Sequence, residues 1–244
     1  MDAARKRADI VLVERGFFSS RARAQAAIAA GLVSIGGALL KKASEEIAED
    51  APIEAEAPHP WASRGGVKLM AALGAFALDP SGLVCLDVGA STGGFTDVLL
   101  ARGAAKVIAV DVGRGQLMSR LAADPRVRSL EAIDARTLTP ERLGERPDAI
   151  VIDVSFISQR LVLPHVLGLA AKRAWLVSLI KPQFEVGKAH LVKSRVRSEA
   201  TLGRACADVR AAIEAQGWTV SGAIPSPILG GGGQREFLIA ARHA

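Results

Sequence analysis

Residues 83–113 read LVCLDVGASTGGFTDVLLARGAAKVIAVDVG, and their pattern sets the architecture of the larger part of the chain. Leu83–Val88 is a short apolar run, suited to a strand buried on both faces. Gly89-Ala-Ser-Thr-Gly93-Gly94 lets backbone approach a ligand closely, and Phe95–Arg102 has helical spacing ended by Gly103. Lys106–Val110 is a second apolar strand, and Asp111 follows it, 24 residues after Asp87. In a βαβ unit an acid about 20 residues past the glycine-rich loop reaches the ribose hydroxyls of a nucleoside.

The glycine spacing narrows the choice of ligand. A dinucleotide site uses GxGxxG, whose second glycine admits a pyrophosphate. Here the loop is GxxxGG, with Ser91 and Thr92 in its middle and Asp87 at its root. A carboxylate at that point repels phosphate but suits an ammonium and a sulfonium. S-adenosylmethionine carries both.

Composition sets further bounds. The 244 residues are enough for one large domain and one small one. Half are apolar, yet no run of about 18 uninterrupted apolar residues occurs and no secretory leader is evident, so the chain reads as soluble and cytoplasmic. Cys85 and Cys206 stand far apart without metal spacing and read as reduced thiols. No metal site is expected, because His59, His165, His190 and His243 show no ligand spacing. The net charge of +6 fits a nucleic-acid partner. No pattern sets an oligomeric state.

That charge is segregated. Arg5, Lys6, Arg7, Arg15, Arg21, Arg23, Lys41 and Lys42 precede residues 43–60, which hold six acids and no Lys or Arg. Helices are expected over Arg7–Arg15 and Arg21–Ala30, with Ser19 or Ser20 as cap. Strands at Leu32–Ile35 and Ala38–Leu40 flank Gly36-Gly37, and Pro52–Ala57 adds another. RADIVLVERGFFSSRARAQAAIAAGLVSIGG resembles the RNA-binding domain named after small-subunit ribosomal protein four. The resemblance implies RNA binding by the two helices and the hairpin, with Arg5, Lys6, Arg7, Arg21, Arg23, Lys41 and Lys42 as the basic contacts. The expected division is an α+β RNA-binding domain at 1–60, a linker at 61–66 and a catalytic domain at 67–244.

Beyond the opening unit, strands are expected at Val127–Ala132, Asp148–Val154, Trp175–Ile180, Trp218–Ile224 and Arg235–Ala241. Helices are expected at Lys68–Phe76, Leu161–Ala171 and Glu199–Gln216. Seven strands alternating with helices make an α/β, doubly wound sheet, which binds ligands at the carboxyl ends of its parallel strands. Asp87, Asp111, Asp134, Asp153 and Lys181 fall at those ends, and Glu236 joins them if the last strand is antiparallel. Lys68 lies just upstream of the first strand. A Lys–Asp–Lys–Glu set beside a nucleoside pocket suits methyl transfer to a ribose 2′-hydroxyl. A positioned amine, Lys181, would take the proton with Lys68 as the neighbouring cation and Asp153 and Glu236 orienting both.

SRGGVKL, DVGASTGGFTDVLL, VDVGRGQL, VIDVSFIS, LIKPQFEVGK and GGGQREFL together resemble the motifs of the TlyA family. These are hemolysin-like rRNA 2′-O-methyltransferases related to FtsJ methyltransferases. The resemblance implies a Rossmann-like methyltransferase sheet, S-adenosylmethionine as cofactor, and cytidine in 23S rRNA, in some members also 16S rRNA, as substrate. It implies catalytic Lys68, Asp153, Lys181 and Glu236. Cofactor contacts fall on Asp87, Gly89, Ala90, Ser91, Thr92, Gly93, Gly94, Asp111 and Asp134. Lys188, Lys193, Arg195 and Arg197 make a basic loop that would also face RNA. The rival readings are a non-catalytic ribosome assembly factor, a membrane-active hemolysin, which would need an amphipathic element not found here, and a nicotinamide-dependent oxidoreductase, which the glycine spacing disfavours.

Overall fold

The computed structural model describes residues 4–18, 20–56, 59–230 and 233–243; Ser19, Gly231, Gly232 and the side chain of Lys188 lie outside that set. The chain divides into two compact units, Met1–Pro60 and Trp61–Ala244.

The first unit runs β1 (Arg5–Arg7), α1 (Ala8–Glu14), α2 (Arg21–Ala29), β2 (Val33–Ile35), β3 (Ala38–Leu39), β4 (Glu46–Ala48) and β5 (Ile53–Ala55). Ser20 caps α2 by accepting from Arg23 N at 3.4 Å. Gly36 and Gly37 have φ of 55° and 80°, the conformation a two-residue β2–β3 hairpin requires. Strand β5 pairs with the other side of β2. Leu12, Ala24, Ala27, Ile28 and Val33 form the core. The sequence reading lacks β1 and β4, which pair antiparallel from Arg5↔Ala48 to Arg7↔Glu46. Each is three residues long, and the fully exposed Arg-Lys-Arg run has no apolar alternation to betray it.

The second unit runs α3 (Gly65–Ala75), β6 (Val84–Val88), α4 (Gly94–Ala101), β7 (Lys106–Asp111), α5 (Ser119–Ala122), β8 (Val127–Glu131), α6 (Pro140–Leu143) and β9 (Ala149–Ile152). It continues through α7 (Leu163–Leu167), β10 (Trp175–Ile180), α8 (Pro182–Glu185), α9 (Glu199–Glu214), β11 (Trp218–Pro225) and β12 (Phe237–His243). The sheet order is β11-β12-β10-β9-β6-β7-β8. Strand β12 is antiparallel to both neighbours, and the other pairings are parallel. The chain steps outward from β6 through β7 to β8, then returns to place β9 on the other side of β6. The β6–β9 crevice is therefore the switch point where such sheets bind ligands.

Helices cover both faces. Leu86, Val88, Ile150, Ile152 and Ile180 pack on one face beneath α7 and α9. Cys85, Val107, Val151, Leu179 and Leu238 pack on the other, against Leu69 of α3 and Val98 and Leu99 of α4. This alternation has a chemical consequence. Carried one residue past the strand ends, the period of two puts Asp153, Lys181 and Glu236 on the α3/α4 face, together with Asp87 and Asp111.

Some boundaries differ from expectation. The helix expected over Leu161–Ala171 is a 3₁₀ turn at Gln159–Leu161 followed by the five-residue α7. Pro164 lacks an N–H and fits only a first helical turn, so it resets the helix there. Strand β12 starts at Phe237 and not at Arg235: Gly230 N bonds Gln234 O, closing a loop just before it, and Ser226 N still bonds Glu236 O in line with the β11–β12 pairing. Helix α3 begins at Gly65, inside the stretch expected as linker, and Ala62 N donates to Asp97 Oδ2 at 2.7 Å.

Candidate active site

The loop after β6 is shaped first by the protein's own packing. Gly89 has φ 84°, and a Cβ there would sit 2.5 Å from the Asp153 carbonyl oxygen across the switch point. At Gly94 a Cβ would meet Ser63 Oγ at 2.1 Å. The sequence reading assigned these glycines to ligand approach; their nearest neighbours are β9's end and the segment before α3. Ser91 takes φ 46° without being glycine, its N–H donating to Asp111 Oδ2 at 2.8 Å.

The three expected acids differ in surroundings. Asp87 is fully buried; its Oδ2 accepts from Thr96 Oγ1 at 2.7 Å, and its Oδ1 has no partner among the described residues. Burial pushes its carboxyl up to about 7, Thr96 opposes this, and the Asp153 and Asp111 charges add to it. Asp111 also accepts from Gly113 N at 2.7 Å. Asp134 is gripped by Arg136 at 2.5 Å, which with the Arg136 N–H holds its carboxyl down at about 2.

Asp111, Asp134 and Asp153 line a cleft of about 490 Å³ whose apolar walls include Val110, Ile133, Val162 and Phe156. A second cleft of about 220 Å³ lies between the loop residues Gly89–Thr92 and Ser63, Asp153, Ser155 and Lys181. Asp87 lines neither.

Two lysine–carboxylate pairs sit at this edge. Lys181 Nζ lies 2.6 Å from Asp153 Oδ1 and donates an aligned hydrogen bond to Ser155 Oγ at 2.7 Å. Lys68 Nζ, on α3, donates to Glu236 Oε2 at 2.5 Å, both side chains being nearly sealed from solvent. Ile180 pairs with Phe237, so Lys181 and Glu236 face each other one step further along the same ladder. The Glu236 carboxylate presses so closely on Gly230 that a Cβ there would fall 1.9 Å from Oε1.

Sequence reasoning missed Ser155 and Phe156. Phe156 is 91% exposed at φ 65°, with its ring centroid 5.2 Å from that of Phe184. A bulky residue in the left-handed region is uncommon, and only the three-dimensional loop reveals it.

The expected RNA contacts fall into two groups. Some are committed within the first unit: Arg5 donates to Glu46 O at 2.6 Å, Lys6 pairs with Glu14 and Glu49, and Arg7 and Arg21 converge with Gln25 on the buried Asp9. Those bonds hold the Asp9 carboxyl well below the usual range. Lys41 and Lys42 are exposed, and Arg23 is half-buried on α2. In the second unit Lys193 and Ser194, at φ 48° and 63°, form the tip of a turn closed by the Val192–Arg195 bridge, with Lys193 and Arg197 exposed. Among the described residues no group of three or more His, Cys, Asp or Glu side chains is arranged to hold a metal, and no helix is long and apolar enough to cross a membrane.

The FtsJ-like methyltransferase family model matches residues 61–243, and the S4 domain model matches residues 6–53. A Mycobacterium tuberculosis protein named 16S/23S rRNA (cytidine-2′-O)-methyltransferase TlyA is 45% identical over 98% of this chain and 91% of its own. Hemolysin A of Brachyspira hyodysenteriae is 37% identical over 95% of this chain and 98% of its own. A solved structure of a Streptococcus thermophilus protein with a hemolysin name superposes with TM-score 0.79 at 37% identity, covering 98% of this chain and 89% of that one.

Proposed function

The chain belongs to the FtsJ-like methyltransferases and, within them, to the TlyA family, and from that premise we propose that it moves a methyl group from S-adenosylmethionine to the 2′-hydroxyl of cytidine in ribosomal RNA. We take 23S rRNA as the substrate, with 16S rRNA as a second one, and the ribosomal subunits of the cytoplasm as the place of work. The S4 domain match over residues 6–53 supports an RNA partner.

The residues present fit the cofactor. The unpartnered, fully buried Asp87 Oδ1 suits an ammonium group. Asp111 offers a carboxylate to ribose hydroxyls, and Val110, Ile133 and Val162 offer an apolar wall to a purine. S-adenosylmethionine, when bound, supplies a methyl group on a positively charged sulfur, ready for in-line displacement.

What the chain must add is a place for the acceptor oxygen and a route for its proton. The 2′-hydroxyl is a weak nucleophile because it holds its proton at neutral pH. In its neutral, free-amine form Lys181 Nζ takes that proton as the new oxygen–carbon bond forms. Asp153, 2.6 Å from Nζ, stabilises the ammonium that results, and Ser155 fixes the direction of the amine. Lys68 and Glu236 form the adjoining pair at 2.5 Å, placing a second cation beside the developing alkoxide. Holding the reactants in line supplies most of the remaining acceleration.

The observation that carries this reading is the presence of two lysine–carboxylate contacts, a buried Lys68–Glu236 and a half-buried Lys181–Asp153, at the switch-point edge of a methyltransferase sheet. The test is transfer of radiolabelled methyl to ribosomal subunits from cells lacking the gene, with the modified ribose mapped afterwards. A 2′-O-methylcytidine that appears only with the protein supports it. RNA binding without any transfer would leave the assembly-factor reading in its place.

A further inference from the structure

Beneath the Lys181–Asp153 contact, on the α7/α9 face of the sheet, lies a polar cluster that the proposed transfer chemistry does not use. Gln159 is 1% exposed, Ser178 0% and Glu185 4%. Burying a carboxylate and an amide so completely is costly unless every bond is made. Here the bonds are made between the two segments that bear the reacting pair. The Glu185 carboxylate accepts from Ser158 Oγ at 2.5 Å and from Gln159 N at 2.9 Å. Gln159 Nε2 donates to Leu179 O, and Ser178 Oγ donates to Gln159 Oε1. Arg160 closes the cluster, donating to Glu185 O at 3.1 Å and lying between the Glu185 and Asp208 carboxylates at 3.8 and 3.9 Å.

The connectivity gives the cluster its meaning. Ser158 and Gln159 follow Asp153 by five and six residues, through the loop that carries Ser155 and the left-handed Phe156. Leu179 and Glu185 flank Lys181, two residues before it and four after. Lys181 is thus tied on both sides to the segment that presents Asp153. The Phe156–Phe184 ring contact adds an apolar tie between the same two segments.

We propose that Glu185 and Gln159 are positioning residues: they lock the Asp153 loop to the Lys181 segment and thereby fix the amine against the acceptor oxygen. The inference rests on the reading of Lys181 and Asp153 as the reacting pair. Neither positioning residue touches the clefts; each acts through the backbone it holds.

The test uses the full-length protein, S-adenosylmethionine and unmethylated ribosomal subunits, with wild type and Lys181→Ala as references. Since an ångström of misplacement at a reacting group can cost about a hundredfold, Glu185→Ala should slow single-turnover transfer about a hundredfold and Glu185→Gln about tenfold. Cofactor Kd and the KM for RNA should stay within about threefold of wild type in both, a split that general loosening would not give. Wild-type rates in either variant would overturn the proposal, as would a rate loss matched by equal losses in cofactor affinity and melting temperature. If Glu185→Ala does not fold, Ser158→Ala removes one donor only: a clear rate loss at unchanged Kd supports the proposal, and an unchanged rate overturns it. A wild-type protein that transfers nothing to rRNA would instead sink the functional reading.

Discussion

Two aspartates show how differently one side chain is used in this molecule. Asp87 is raised to about 7 by burial, so ionising it costs the folded state; its contribution to stability declines as pH climbs from the unfolded carboxyl range toward 7. An ammonium delivered to its unpartnered Oδ1 reverses that cost. Cofactor affinity should therefore be full above pH 7 and weaken below it, by at most about tenfold per pH unit, as a proton must first be expelled. Calorimetric titration from pH 6 to 8 measures this, and Asp87→Asn should flatten the dependence; a slope that persists in the variant places the titrating group elsewhere. Asp9 is the opposite case, held low by Arg7, Gln25 and Arg21, so its stabilisation is present above about pH 4 and lost in acid. Lys181→Ala should abolish transfer while cofactor Kd, read by the same calorimetry, changes by less than about threefold. Most of these residues were legible because a strand end is legible: an apolar run stops and an acid or amine follows. Ser155 and Phe156 were not, since loop residues carry no period and their placement depends on what the loop packs against.

At the scale of elements, the strand–loop–helix around Gly89 was readable from glycine spacing alone, but its reason was not. The sequence suggested room for a ligand; the structure adds that β6 and β9 leave no room for a side chain between them. Gly89→Ala meets the Asp153 carbonyl and a φ of 84°, so it should cost about 1–3 kcal/mol and displace the residue that pairs with Lys181. Thermal melting and transfer rate together check it, and a variant with wild-type stability and rate would show that the crevice yields. The buried strands β6, β7, β9 and β10 were readable for the same reason as their ends, being mostly apolar stretches of four to six residues. The exposed β1 and the three-residue β4, which buries only Ile47, were not, since one apolar residue or none makes no readable period. The face shared by the site residues follows from the pleat: counting in twos along β6, β7, β9, β10 and β12 assigns Asp87, Asp111, Asp153, Lys181 and Glu236 to one side of the sheet.

For the whole molecule the decisive quantity is where the net charge of +6 is free to act. Summed from sequence, the first 42 residues look like one basic surface. The structure divides that sum. Arg7 and Arg21 serve the buried Asp9 and Lys6 serves two glutamates, so replacing them removes internal partners as well as charge. Lys41 and Lys42 are exposed, and no ion pair to either occurs among the described residues. The two groups should separate in a salt titration of rRNA binding. Each phosphate contact released lowers the slope of log K against log salt by about 0.7–0.9, so Lys41→Ala with Lys42→Ala should flatten it by up to about 2. Melting temperature and the transfer rate at saturating RNA should not change. Arg7→Ala with Arg21→Ala should instead lower the melting temperature, because Asp9 is left buried without its counter-charges. If the lysine pair leaves the slope untouched while the arginine pair changes it at constant stability, the RNA face lies over α1 and α2 and not beside the residues that follow the hairpin.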